Sequence, residues 1–262
     1  MLKRLPYLML MLFLAILAVS LRASAGQQNL QQIQQQKDRL RKPSRHSGLP
    51  VLGEFKANET EPPQDEERRQ IREKRYGDHL PPITDPGPTI KGQTESTRVT
   101  FIDYVTGNST DPNGIPASVS TAVVVGTILS GKCFVNKAHT FVYTDYQVRI
   151  DQVLKLDPTT NLTVGDSVTA SRDGGAIHFP SGHVTNFLHM GQGLPEVGSQ
   201  YVLFLWRSIP NLPEYEIIIN SGYQLKDGRA YALDDANSGY DNSDANVLIG
   251  KIQTAIAGGA RP

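Results

Sequence analysis

Residues 142–154 alternate apolar and polar side chains, which is the pattern of a β-strand with one buried face. One face carries Val142, Thr144, Tyr146, Val148, Ile150 and Leu154. The other face carries Tyr143, Asp145, Gln147, Arg149 and Asp151. A helical period of about 3.6 residues would mix the two sets, so the pattern excludes a helix in this segment.

A second long strand precedes this one. Residues 122–129 are apolar on both faces, which is typical of a central strand covered on both sides. A tight turn at residues 136–139 would join the two strands into a hairpin. Gly126 and Gly131 interrupt the first strand, and glycine inside a strand often marks a bulge or a sharp bend. Long strands with such bends predict a small closed barrel.

Other short extended segments lie on both sides of the hairpin. Turn residues separate them, as at residues 180–182 (Pro-Ser-Gly) and at Asp227-Gly228. The predicted strands are 97–106, 162–171, 176–179, 183–188, 201–206 and 215–219, with a short pair around residues 226–229. Residues 96–235 are therefore predicted to form one mainly β domain, an antiparallel barrel.

The C-terminal residues 236–262 change type and are predicted to form a loop, a helix and a tail. Leu248 and Ile252 recur at helical spacing, and either Ser243 or Asp244 can cap a helix that runs to Ala257. We expect this helix to pack on one end of the barrel.

The first 25 residues have the pattern of a secretory signal peptide. Lys3 and Arg4 precede an apolar run at 8–19, and Ala-Ser-Ala at 23–25 provides small residues before a cleavage point after Ala25. The predicted location is therefore secreted or periplasmic, with no stable membrane span after cleavage. The alternative is an uncleaved N-terminal helix that anchors the chain in a membrane.

Residues 26–95 have the composition of a disordered linker. They are rich in Gln, charged residues and Pro, and such a segment buries too little apolar surface to offset its chain entropy. Two stretches, 29–40 and 65–76, could form short helices. A basic run at 37–45 could contact nucleic acid or anionic lipid, but the formal net charge of the whole chain is zero. We therefore predict a solvated tether and no nucleic-acid partner.

Three stretches resemble the small OB-like barrels of netrin/TIMP-like secreted proteins. These are VVVGTILSG, YTDYQVRIDQVLKL and the section VGDSVTASRDGG…GLPEVGSQYVLFLW, within residues 118–223. The resemblance implies an OB-like or netrin-like antiparallel barrel of the kind found in uncharacterised secreted bacterial proteins. Animal members are rich in disulfides, and their inhibitors present an N-terminal Cys to a protease metal. This chain has one internal cysteine, so metalloprotease inhibition does not carry over.

Cys133 is the only cysteine, so no disulfide can form within the chain. It lies just before the predicted hairpin turn, and His139 lies across that turn. A Cys beside a His can form a thiolate nucleophile. The alternative is a small apolar residue on a strand, with His139 in a solvated turn. We favour this alternative because no third orienting residue is visible.

Three histidines within a dozen residues are the candidate metal ligands. His178 and His183 flank the predicted turn at residues 180–182, and His189 follows. Imidazoles paired across a hairpin can hold zinc or copper. Their spacing matches no compact metal motif, so exposed polar residues on a sheet face are the simpler interpretation, and no cofactor is predicted.

Two further polar runs have a chemical composition worth noting. The run Arg172-Asp173-Gly174-Gly175 could expose backbone amides to an anion, but it is more typical of a plain β-turn. Residues 234–246 resemble a calcium loop in composition alone, since the EF-hand pattern is missing.

No motif in the sequence brings together a nucleophile, a base and an oxyanion donor, and no nucleotide-binding motif is present. We therefore predict an exported, non-enzymatic binding or accessory domain at the cell envelope. Its partner would be an unidentified protein or envelope component. The alternative is a secreted metal-dependent or thiol enzyme that uses His178, His183 and His189, or Cys133 with His139.

Overall fold

The computed structural model describes residues 48–55, 80–87, 95–100, 115–189, 191–207, 214–218 and 221–259. All of them belong to one compact unit, Pro43–Pro262. The strands are β1 (Leu52–Glu54), β2 (Glu95–Thr100), β3 (Ala122–Val135), β4 (Val142–Leu156), β5 (Ser167–Asp173), β6 (Gly175–His178), β7 (Val184–His189), β8 (Gln200–Trp206), β9 (Tyr215–Ile217), β10 (Tyr223–Lys226), β11 (Arg229–Ala232) and β12 (Ser243–Asp244). A 3₁₀ helix spans Asp235–Tyr240, and helix α1 spans Ala245–Gly259.

Five strands close into a barrel in the order β8-β3-β4-β5-β9, with β9 pairing back to β8. The pairing of β5 with β9 is parallel, and the other pairings in the barrel are antiparallel. The predicted mainly β fold, an OB-like barrel with a C-terminal helix, is confirmed. The sheet continues beyond the barrel from β8 through β10 and β11 to β12.

The β3–β4 hairpin contributes side chains to two hydrophobic cores. Its barrel half carries the inward residues Val124, Ile128 and Val148, which lie in the main core. A register shift between Ile128 and Ser130 marks the change to the distal half. There Cys133 and Val142 pack against Ile177, Phe179 and Phe187.

A second sheet, β1-β6-β7-β2, supplies the partners of that distal half. The β6–β7 hairpin turns at residues 179–182, where the N–H of Gly182 donates to the carbonyl of Phe179 at 2.9 Å. Strands β1 and β2 add to its two edges in parallel. Both edge strands precede the first barrel strand, β3, in the sequence.

Helix α1 packs on the outer face of β3 and β8 and not on the end of the barrel, so the predicted end-on packing was wrong. Its Leu248 and Ile252 lie in one cluster with Val123 and Val202, which point outward from β3 and β8. Burying each of these helix side chains contributes about 1.5–3 kcal/mol. Because α1 packs on the outer face of β3, residues 122–125 are apolar on both faces.

Several local predictions are confirmed. Asp244 caps α1, because its Oδ1 accepts the N–H groups of Asn246 and Val247 at 2.9 and 3.1 Å. Asp227 and Gly228 both have positive φ and turn β10 into β11. The alternation along β4 holds from Val142 to Ile150 except at Tyr143, which is buried and stacks on Phe134. The predicted place of Leu154 on the same face was wrong: a register shift after Ile150 turns Val153 toward the main core and Leu154 toward the outer cluster with Val123.

Two stretches of the predicted linker lie on the β domain. Residues 48–55 contain β1, which pairs with β6, and the buried Ile83 donates its N–H to the His139 carbonyl at 2.5 Å. The predicted first strand, 97–106, coincides in part with β2, and residues 101–106 lie outside the described residues. The predicted signal peptide, the rest of the predicted linker and its two predicted helical stretches also lie outside them. None of the helices in the described part of the chain is long and apolar enough to cross a membrane.

Candidate binding surface

The polar positions of β4 form a continuous surface on the outside of the barrel. Their apolar neighbours Tyr146, Val148 and Ile150 fill the core, so the alternate side chains must face outward. Antiparallel pairing places these side chains opposite polar residues of β5. The facing pairs are Asp145 with Ser171, Gln147 with Thr169 and Arg149 with Ser167.

Hydrogen bonds between the strands fix two of these pairs. The Ser171 hydroxyl donates to Asp145 Oδ1 at 2.5 Å, and Gln147 Nε2 donates to Thr169 Oγ1 at 2.8 Å. Gln147 is exposed, so the Gln147–Thr169 pair presents polar groups in a defined orientation, whereas Ser171 is only 4% exposed.

Asp151 is the centre of the same surface. Its carboxylate accepts hydrogen bonds from Thr127 Oγ1 at 2.5 Å, from Arg149 Nε at 2.9 Å and from Gln200 Nε2 at 2.9 Å. Partial burial raises the pKa of Asp151, but these three bonds outweigh it and hold the pKa below its ordinary value. Asp151 is therefore ionised at neutral pH and orders residues from β3, β4 and β8.

We call this surface the outer polar wall. Its members are Thr127, Asp145, Gln147, Arg149, Asp151, Thr169, Ser171 and Gln200. The Arg149 side chain is 49% exposed, so part of its guanidinium is open to a ligand, while its Nε donates to Asp151 and its Nη2 to Thr127 Oγ1 at 3.3 Å. With two carboxylates and one guanidinium, the wall is polar and carries mixed charge.

No family model matches this sequence, and neither does any curated protein. The strand pairings show the closed five-stranded barrel, and the netrin-like resemblance stays a prediction. One fold can host unrelated functions, so the barrel alone does not give the function of this surface.

The structure gives the three candidate metal ligands separate partners. His178 Nδ1 lies 3.0 Å from Glu54 Oε2, and His183 Nε2 lies 2.8 Å from Ser96 Oγ. The buried ring of His189 lies 5.5 Å from that of Phe141, and burial lowers the pKa of His189. Within the described ranges, no three His, Cys, Asp or Glu side chains are grouped to hold a metal ion. The histidines predicted as a cluster are therefore not brought together.

Cys133 and His139 are not brought together either. Cys133 is buried opposite Thr144, and burial raises the pKa of its thiol to about 12. His139 lies in the turn, where its ring contacts Phe55 with a centroid distance of 5.3 Å. A thiol that stays protonated at neutral pH is a poor nucleophile. The favoured interpretation of Cys133, a small residue packed on a strand, agrees with this geometry.

Arg172 and Asp234 form a fully buried ion pair that sequence reasoning missed. The glycines after it predict a turn at Arg172, but this residue lies in β5 and faces inward like Val168 and Ala170. Its Nε donates to the Gly193 carbonyl at 2.7 Å, and the N–H of Gly193 donates to Asp234 Oδ1 at 2.8 Å. Asp234 belongs by composition to the calcium-like run at residues 234–246, yet its carboxylate binds Arg172 and the Gly193 N–H. The two-residue spacing from Val168 and Ala170 was the signal that could have found Arg172.

Proposed function

We propose that this chain is an exported, non-enzymatic binding module of the cell envelope, and that its outer polar wall holds a glycan strand. The observation that carries the proposal is the ordering of the wall by its own hydrogen bonds around Asp151. Side chains that are already ordered lose less conformational entropy on binding. Export rests on the signal peptide predicted over residues 1–25.

The position of the wall supports a binding role. OB-type barrels take oligonucleotides and oligosaccharides on the face of their second and third strands. In this barrel those strands are β4 and β5, and together they carry Asp145, Gln147, Arg149 and Thr169. Fold analogy alone does not identify a ligand, so the ligand class is inferred from the chemistry of the outer polar wall.

Charge favours a saccharide over a nucleic acid. The carboxylates of Asp145 and Asp151 would repel phosphates, and Arg149 is already paired with Asp151. Sugar hydroxyls both donate and accept, so they can bind carboxylate, amide and guanidinium groups together. The enzyme alternatives have less support, because Cys133 is a buried thiol and the three histidines have separate partners.

The experiment is titration calorimetry of the full chain against soluble fragments of envelope polysaccharide. The double variant Gln147→Ala/Arg149→Ala removes two exposed wall side chains and should weaken binding at least about tenfold. The matched control is Lys251→Ala on the exposed side of α1, which should bind as the wild type does. Absence of glycan binding, or binding that the double variant leaves unchanged, would contradict the proposal.

A further inference from the structure

Three buried polar atoms at one end of the barrel have no hydrogen-bond partner among the described protein atoms. They are Arg172 Nη1, the Tyr146 hydroxyl and Gln192 Oε1. Their residues are 2%, 0% and 4% exposed. A polar group that is buried without a partner is costly, and native proteins leave few of them. We call these three atoms the inner polar cluster.

Strand register places two members of the cluster side by side. Arg172 lies opposite Thr144, and Tyr146 lies opposite Ala170, so Arg172 and Tyr146 are diagonal neighbours on the inner face of β4 and β5. Diagonal neighbours are within reach of each other when one is aromatic and the other is long. The Tyr146 hydroxyl therefore lies on the same side of the sheet as the guanidinium.

The third member comes from the loop that follows β7. Gln192 precedes Gly193, whose carbonyl accepts from Arg172 Nε at 2.7 Å. Gln192 Nε2 donates to the carbonyl of Asp173 at 3.3 Å, which holds the amide next to Arg172. Tyr201 binds the same loop, because its hydroxyl accepts the Glu196 N–H at 2.8 Å. The loop is thus held by both Arg172 and Tyr201, and Gln192 lies next to the residue that Arg172 binds.

Charge decides what the inner polar cluster can hold. Asp234 already neutralises Arg172, so an added anion would be an unpaired charge in the interior. A cation would be repelled by the positive charge of the Arg172 guanidinium. A neutral molecule that both donates and accepts suits an N–H donor, an amide oxygen and a hydroxyl. Burial raises the pKa of Tyr146, so its hydroxyl keeps its proton.

We infer that the inner polar cluster binds one ordered water molecule. The water accepts from Arg172 Nη1, donates to Gln192 Oε1 and makes a third bond with the Tyr146 hydroxyl. About three hydrogen bonds are typical of a buried structural water. The water joins β4 and β5 to the loop at 191–196, and so completes the attachment that Arg172 begins.

The direct test is detection of a long-lived water in the full chain. Water–protein Overhauser spectra should show a water cross-peak to the Arg172 side-chain N–H groups, and Tyr146→Phe should weaken it. That variant should also lower Tm by about 2–4 °C, the shift expected for one lost hydrogen bond in a domain of this size. Gln192→Leu removes the acceptor from the loop side and should act in the same direction.

Tyr201→Phe is the matched control. It removes a buried tyrosine hydroxyl that has a protein partner, so it should lower Tm but keep the water signal. Absence of a long-lived water in the wild type would overturn the inference. A Tyr146→Phe variant that is as stable as the wild type, or more stable, would also overturn it. That result would show that the Tyr146 hydroxyl has no hydrogen-bond partner in the wild type.

Discussion

Asp85 and Ser181 are joined by two hydrogen bonds across 96 residues of sequence. The Ser181 hydroxyl donates to Asp85 Oδ1 at 2.5 Å, and the Ser181 N–H donates to Oδ2 at 3.0 Å. These bonds attach residues 80–87 to the turn of the β6–β7 hairpin. The Ser181 hydroxyl is the largest cause of the lowered pKa of Asp85, with smaller help from the Gly87 N–H.

We predict that this attachment weakens in acid. A folded pKa below the ordinary value of 3.8 means that the bonds contribute fully above 3.8 and are lost as the pH falls through the folded pKa. An NMR titration should place the Asp85 pKa below 3.8, and Ser181→Ala should raise it. The pKa of Asp157, which Thr159 holds low, should not change in that variant. An Asp85 carboxyl that titrates at its ordinary value in the wild type would refute the attachment.

We predict that Cys133 is inert in the folded chain. Burial raises the pKa of its thiol to about 12, so at pH 8 almost none of it is thiolate. A thiol reagent should label the native chain on the order of a hundredfold more slowly than the unfolded chain. In a Leu129→Cys variant the added thiol takes a position that is 45% exposed, and it should react rapidly. Equal labelling rates for the two cysteines would show that Cys133 is accessible.

The buried ion pair predicts an asymmetric set of stability changes. Asp234→Asn leaves the Arg172 charge buried without its counter-ion, and it should lower the free energy of unfolding by about 3–5 kcal/mol. Replacing both partners, as in Arg172→Met/Asp234→Leu, should recover much of that loss. Arg149→Ala at the exposed pair with Asp151 should cost about 0–1 kcal/mol.

Urea denaturation measures all three variants. If the double variant proves less stable than Asp234→Asn, the desolvation argument for this pair is wrong.

The barrel could be predicted from sequence because its signals are local. Alternation along β4 and the two-sided apolar run in β3 each follow from the burial of that strand. Asp227-Gly228 and the Asp244 cap depend on neighbouring residues alone. The same alternation predicts the four β4 members of the outer polar wall on one face, but not its members from other strands or its hydrogen bonds.

The missed features depend on partners that are distant in sequence. Strand β1 pairs in parallel with β6, where Leu52 lies opposite Ala176, and its own sequence is too short to predict a strand. Proximity in the chain makes His183 a candidate metal ligand, but its ring lies against Ser96 of β2. The glycines that follow Arg172 predict a turn at this residue. The bend is real, with φ values of +99° and +153° at Gly174 and Gly175, but it begins after β5.

The last prediction contrasts two glycines whose replacement should change stability in opposite directions. A Cβ at Gly193 would lie 2.0 Å from the backbone carbonyl oxygen of Leu233, which cannot move without disturbing the loop held by Arg172. Gly193→Ala should therefore lower the free energy of unfolding by about 2–3 kcal/mol. Gly250 lies on the exposed side of α1 with open space around its Cβ position, so Gly250→Ala should raise it by about 0.5–1 kcal/mol. Urea denaturation of both variants measures the contrast, and a neutral Gly193→Ala would show that the loop does not pack tightly on Leu233.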